Sequence, residues 1–178
     1  VSGEMKISAS LASAGRFSAR GQLSGSNLPL TLGKEQIALE QFSIESSDDG
    51  VLVRSADLRW QDARLNVAGK IGVAGEVWRL DLDVSGDRLS LEELERLFDT
   101  REDQNNKTTR TRIEGLVKLK LNSFSAEHLT LSALQVKTEL SSSSIKAEIE
   151  RAMVCGINTT GQVDVEGSDV RLDFRFAA

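Results

Sequence analysis

The chain has 178 residues, 39% of them hydrophobic but only 4% aromatic, and a formal net charge of −5. That length suits one domain or one long sheet, though large core side chains are scarce. The negative charge disfavours a surface that tracks nucleic-acid phosphates, and no Lys/Arg run offers a local one.

Apolar and polar residues alternate almost throughout, and period two places successive side chains on opposite faces of a sheet. Met5 to Leu11 alternates up to a turn at Ser13–Gly15. Phe17 to Leu23 follows, up to a turn at Ser24–Asn27. Leu28, Leu30 and Leu32 make a short strand around Pro29, the single proline, which belongs at a strand start or edge. Ile37 and Leu39, then Phe42 and Ile44, run to the turn signal Ser46–Gly50. Val51–Trp60 and Ala63–Val73 form a hairpin about Gln61–Asp62, and Trp78–Val84 completes the first half.

The period then changes. Ser90 and Glu93 fit a capping box, and Leu91, Leu94, Leu97 and Phe98 share one helical face. Residues 99–112 are almost devoid of apolar side chains and read as an exposed, mobile loop. Strands resume with Ile113–Leu121, in which Val117, Leu119 and Leu121 are expected to be buried and Lys118 and Lys120 to face water. Leu129 and Leu131, Leu134 and Val136, Ile145 to Ile149, Val163 and Val165, and Val170 to Phe176 follow. Turn signals recur at the spacing of consecutive short strands, so a meander is the default topology. A loose similarity links the halves 1–98 and 113–178 within one β domain spanning 1–178.

Few residues invite chemistry. Asp81, Asp83, Ser85, Gly86 and Glu92 imitate a calcium-binding EF-hand loop. Arg88 stands where that loop wants an apolar residue, and the lead-in alternates as a strand, so Asp81 and Asp83 are better read as its wet face. The sole histidine, His128, has only Glu127 beside it and reads as a surface residue at a strand end. The sole cysteine, Cys155, follows Ala152–Val154 and reads as a small buried hydrophobe. No serine-hydrolase elbow and no glycine-rich phosphate loop occurs. No catalytic residue, metal or cofactor is therefore expected. No uninterrupted apolar run of about 18 residues is present to span a bilayer. The chain opens on Val1 without a signal segment, which reads as a piece of a longer protein with any membrane anchor outside it.

The segment Trp78–Leu94, in which a small glycine turn leads to a leucine-rich helix start, resembles the AsmA-like and TamB-like envelope protein family. The amphipathic runs Ile113–Leu121, Leu129–Leu131 and Leu134–Val136 resemble its successive strands, and Ala152–Ile157 with Gly161–Val163 its closing pair. The resemblance covers roughly residues 50–178 and is one of pattern. It implies a periplasmic module of Gram-negative bacteria, tethered to the inner membrane by a segment outside this chain. It further implies a long curved sheet whose apolar face carries phospholipid acyl chains in lipid transport and outer-membrane biogenesis.

The expected fold is mainly β: a curved antiparallel sheet, whether meander, groove or folded over, with one short amphipathic helix. The expected function is non-enzymatic lipid handling, with Val117, Leu119, Leu121, Leu129, Leu131 and Val136 facing the acyl chain. The alternative is a structural or protein-interaction module of the cell envelope with no ligand. Phospholipid, and possible envelope proteins, are the expected partners.

Overall fold

The computed structural model describes residues 2–11, 17–32, 35–47, 50–98, 112–166 and 169–176. Its strands are β1 (Ser2–Leu11), β2 (Phe17–Leu32), β3 (Glu35–Ser47), β4 (Gly50–Trp60), β5 (Ala63–Ala74) and β6 (Val77–Ser90). A helix, α1 (Leu91–Phe98), precedes β7 (Arg112–Ala126), β8 (Leu129–Leu140), β9 (Ser144–Val154), β10 (Ile157–Glu166) and β11 (Asp169–Phe176). All eleven strands lie in one open sheet, in chain order. The mainly β, single-sheet architecture is the one the alternation predicts.

The meander breaks once. β6 and β7 pair in parallel, from Val77 opposite Arg112 to Ser90 opposite Ser125. A parallel neighbour cannot be reached through a tight turn, because the chain must first travel back along the sheet. Of the connection between β6 and β7, the described part is α1. The seam falls between the two halves read from the sequence. The predicted loop, apart from Arg112, lies outside the described residues.

Three local expectations are corrected. Ser24–Asn27 is not a turn: β2 passes through it, with Ser24, Gly25 and Ser26 opposite Ser43, Phe42 and Gln41. Asn27 takes a left-handed φ of 56° and kinks the strand instead. Gly86 likewise makes no turn. It lies within β6, where a Cβ would come within 2.6 Å of the Arg64 carbonyl oxygen. Cys155 is exposed rather than buried. With Gly156 it forms the β9–β10 turn, at φ 50° and 83°. Two successive positive φ values match the twist of antiparallel strands, and a residue followed by glycine supplies them.

Several strands shift register. On β3, β4, β8 and β9 the buried face advances by three residues rather than two, from Leu39 to Phe42, Val53 to Ala56, Leu131 to Leu134 and Ile149 to Ala152. Each extra residue is a bulge, which bends the strand and sharpens its twist. Ala133, at φ 51°, is one.

The helix follows its predicted capping box. The Ser90 backbone N–H donates to Glu93 Oε2 at 2.7 Å, and the Glu93 N–H donates to Ser90 Oγ at 3.1 Å. Two otherwise unpaired amide groups of the first turn are thereby satisfied. Leu94 packs on a cluster containing Trp60, Ala63, Leu89, Leu121 and Leu134. Leu91 stays exposed. Arg96 donates to Gln61 Oε1 at 3.4 Å, so α1 reaches the β4–β5 turn. Trp60 Nε1 and Gln61 Nε2 both donate to Glu35 Oε2 at 3.0 Å. These two donors, the indole first, hold the Glu35 carboxyl below the usual carboxylate range. The contact therefore supports the fold at neutral pH and is lost as pH falls below the usual range and through the lowered value. Leu94→Asp is expected to lower stability by about 2 kcal/mol or more, because it removes apolar contact and places a charge against the cluster. A denaturant midpoint equal to that of the unsubstituted chain would show that α1 is peripheral.

Candidate functional site

The sheet has one apolar and one polar face. On β7 the polar face carries Lys118, Lys120 and Asn122, all exposed, while Leu121 on the other side is 3% exposed. The expected register of this strand is thus the observed one. Lys118 and Asp83 stand opposite one another on the wet side, 3.9 Å apart. Asp81 and Asp83 belong to an extended strand. From Asp81 to Ser90 such a strand covers about 30 Å, so the carboxylates of the apparent calcium loop do not converge.

The apolar face holds two packed centres. One contains Leu39, Phe42, Val53 and Ala56 on β3 and β4. The other joins Trp60, Ala63, Leu89, Leu121, Leu134, Ile149 and Ala152, with α1 at its margin. Side chains on a flat single layer would stay wet. Burial to this depth, with one eight-residue helix as cover among the described residues, requires the bulged sheet to curl over its own apolar face. The sheet nevertheless remains open. Its strand order runs from β1 to β11 without closing on itself.

The six residues proposed to meet an acyl chain occupy this face unequally. Leu121 is core. Leu119, Leu131 and Val136 are half-buried and pack against the same cluster. Val117 is half-buried, and Leu129 is 45% exposed at the rim. Sequence reasoning missed the opposite rim, away from α1. There Val73, Trp78 and Ile113 stand side by side in register on β5, β6 and β7. They are 57%, 44% and 48% exposed. Ile145 at the start of β9 is exposed as well. Behind this rim Ile71, Leu80, Leu82 and Val117 are half-buried, so an apolar strip runs from open edge to packed core. Alternation could have identified the face. Only the strand register shows that three large side chains end together.

Across the polar face runs a furrow of about 1020 Å³. One wall is a row in register, Gln41, Asp57, Asn66, Ser85, Lys120 and Gln135. Its groups bond to one another in part: Asn66 Nδ2 donates to Asp57 Oδ1 at 2.7 Å, and Asn122 Nδ2 on the far wall donates to Asp87 Oδ1 at 3.3 Å. No group of three metal-ligating side chains occurs among the described residues. His128 sits in the β7–β8 turn and Cys155 in the β9–β10 turn, two strand spacings apart. That separation is about 10 Å, too long for a hydrogen-bonded nucleophile and base.

Compared with protein-family models, with curated proteins and with solved structures, the chain matches none.

Proposed function

We propose that this chain is a non-enzymatic lipid-handling module of the bacterial envelope, binding acyl chains along its apolar sheet face. The observation that carries the proposal is the exposed row Val73–Trp78–Ile113, continuous with a half-buried strip behind it. A contiguous exposed apolar patch marks a surface that meets something apolar. Each methylene taken out of water on such a strip contributes roughly 0.8 kcal/mol, without any headgroup contact. A strip open at one end and packed at the other suits a chain that enters from the rim. A periplasmic site, tethering to the inner membrane and a part in phospholipid transport or outer-membrane assembly accord with this chemistry. The competing proposal is a structural envelope module without ligand. It draws on the close packing at Leu121, Leu134 and Ala152, which leaves the centre of the face no room for a guest.

Photo-crosslinking separates the two. Benzophenone side chains at Trp78, Ile113 and Val117 should capture phospholipid from phosphatidylethanolamine–phosphatidylglycerol vesicles. The same group at Lys118 and Lys120 should not. Equal labelling of both sets, or none at the apolar set, would leave the structural module as the better account.

A further inference from the structure

We propose that the polar furrow binds an uncharged glycan, an extended β-linked chain of sugar rings lying across the strands. The furrow is on the sheet face opposite the apolar strip, so this site does not depend on what that strip binds. Bulges mark both of its ends. Glu40 is the extra residue of β3, and Ala133, at φ 51°, that of β8, and both line the furrow. Between them β4 to β7 keep Asp57, Asn66, Ser85 and Lys120 in strict register. Bulges placed in this way re-aim side chains and are common beside binding sites.

A sugar hydroxyl both donates and accepts, so it is matched by a donor and an acceptor held side by side. Each wall carries one such unit. On one wall Asn66 Nδ2 donates to Asp57 Oδ1 at 2.7 Å, and on the other Asn122 Nδ2 donates to Asp87 Oδ1 at 3.3 Å. Each amide has a further N–H and a carbonyl oxygen to offer, and each carboxylate a second oxygen. The internal bond fixes the pair on two hydrogen-bonded strands, so little order is lost when a hydroxyl docks. Gln41 and Gln135 add amides at the two ends of the row.

Dimensions and charge select the ligand. Neighbouring strands stand about 4.8 Å apart, close to the advance per ring of an extended β-linked sugar chain. From β3 to β8 the row spans about 24 Å, room for roughly five rings. The walls lie two residues apart along each strand, as Asn66 and Arg64 do on β5. That is about 7 Å, the width of a single ring and narrower than a helix of about 10 Å. Glu40, Asp57 and Asp87 face Arg64 and Lys120 across the furrow, so a polyanion is repelled and a polycation gains little. No aromatic side chain lines it among the described residues, so nucleobases find nothing to stack on.

The test is an NMR titration of the full chain with cellohexaose, a straight β-linked hexamer of glucose. Amide shifts should centre on Asp57, Asn66, Ser85 and Lys120, with a dissociation constant of about 1 mM or tighter. Maltohexaose, the α-linked hexamer, coils and should bind at least about tenfold more weakly. Asn66→Ala and Asn122→Ala each remove the amide of one wall and should weaken cellohexaose binding at least about fivefold. Lys118→Ala, on the same face but outside the furrow, should leave it unchanged. Circular dichroism checks that the variants are folded. Should an asparagine variant fail to fold, Ser85→Trp fills the furrow from an exposed position in mid-row and should abolish binding. No shifts at about 5 mM cellohexaose, shifts confined to residues outside the furrow, equal affinity for maltohexaose or for a neutral glycine–serine peptide of like length, or full affinity in the furrow variants would each overturn the proposal.

Discussion

Gly115→Val is expected to cost about 3 kcal/mol or more, enough to unfold much of a marginally stable domain. Gly115 lies on β7 at the parallel seam, opposite Leu80 of β6 and Leu140 of β8. Its φ of +136° is one that side chains rarely adopt, and a Cβ would stand 1.9 Å from the Leu80 carbonyl oxygen. The next obstacles, at 2.7 Å, are the Leu80 carbonyl carbon and amide nitrogen. All are backbone atoms of a paired strand, so nothing can swing aside. Gly75, in the β5–β6 turn, provides the comparison: its φ is +64°, with no atom within 4 Å of a Cβ. Gly75→Ala should cost about 1–2 kcal/mol, from backbone strain alone. Urea denaturation followed by circular dichroism measures both. Equal midpoints for the two variants would mean that β6 and β7 do not approach so closely.

Trp60→Ala is expected to destabilise by about 3–5 kcal/mol. Trp60 is 2% exposed and the largest fully buried side chain among the described residues. It fills the space between β4, the β4–β5 turn and α1. Truncation leaves a cavity that a sheet fixed by hydrogen bonds closes poorly, and strips Glu35 of its indole donor. Trp60→Phe keeps most of the bulk and loses that donor, so its cost should be nearer about 1 kcal/mol. Calorimetric unfolding of the pair distinguishes packing from hydrogen bonding. A Phe variant as unstable as the Ala variant would place the weight on the Glu35 contact.

Much of the fold was legible because a half-buried strand writes its two faces directly into the sequence. Ile113–Leu121 shows this plainly, and Ser90 with Glu93 marks the helix start as clearly. Three-residue jumps such as Leu39 to Phe42 were visible too, though their identity as bulges needs the partner strand. Turn chemistry misled at Ser24–Asn27, because serine, glycine and asparagine suit a kink within a strand as well as a turn. At Cys155–Gly156 the error ran the other way: an apolar lead-in concealed a residue–glycine pair between two alternating runs. The parallel seam had a signal in the length of residues 91–111, which exceeds what an antiparallel neighbour needs. Of the candidate site, alternation gave the face but not its depth. Leu121 and Leu129 look alike in sequence, yet one is core and the other rim, because burial depends on curvature and on where α1 lands. The Val73–Trp78–Ile113 row joins residues from three strands, and no local pattern contains it.

The single parallel pairing also shapes how the chain reaches this structure. β4 and β5, β7 and β8, and β9 and β10 close through two-residue turns, so little chain entropy is spent before their hydrogen bonds form. Pairing β6 with β7 brings together residues 35 positions apart, such as Val77 and Arg112. Loop-closure entropy makes that step dearer than a two-residue hairpin by about 2–3 kcal/mol. Long-range contacts of this kind slow folding, because their cost falls before their reward. The two halves are thus locally encoded ladders, and the seam between them is the expected slow step, at which a sheet, continuous when finished, is assembled from two.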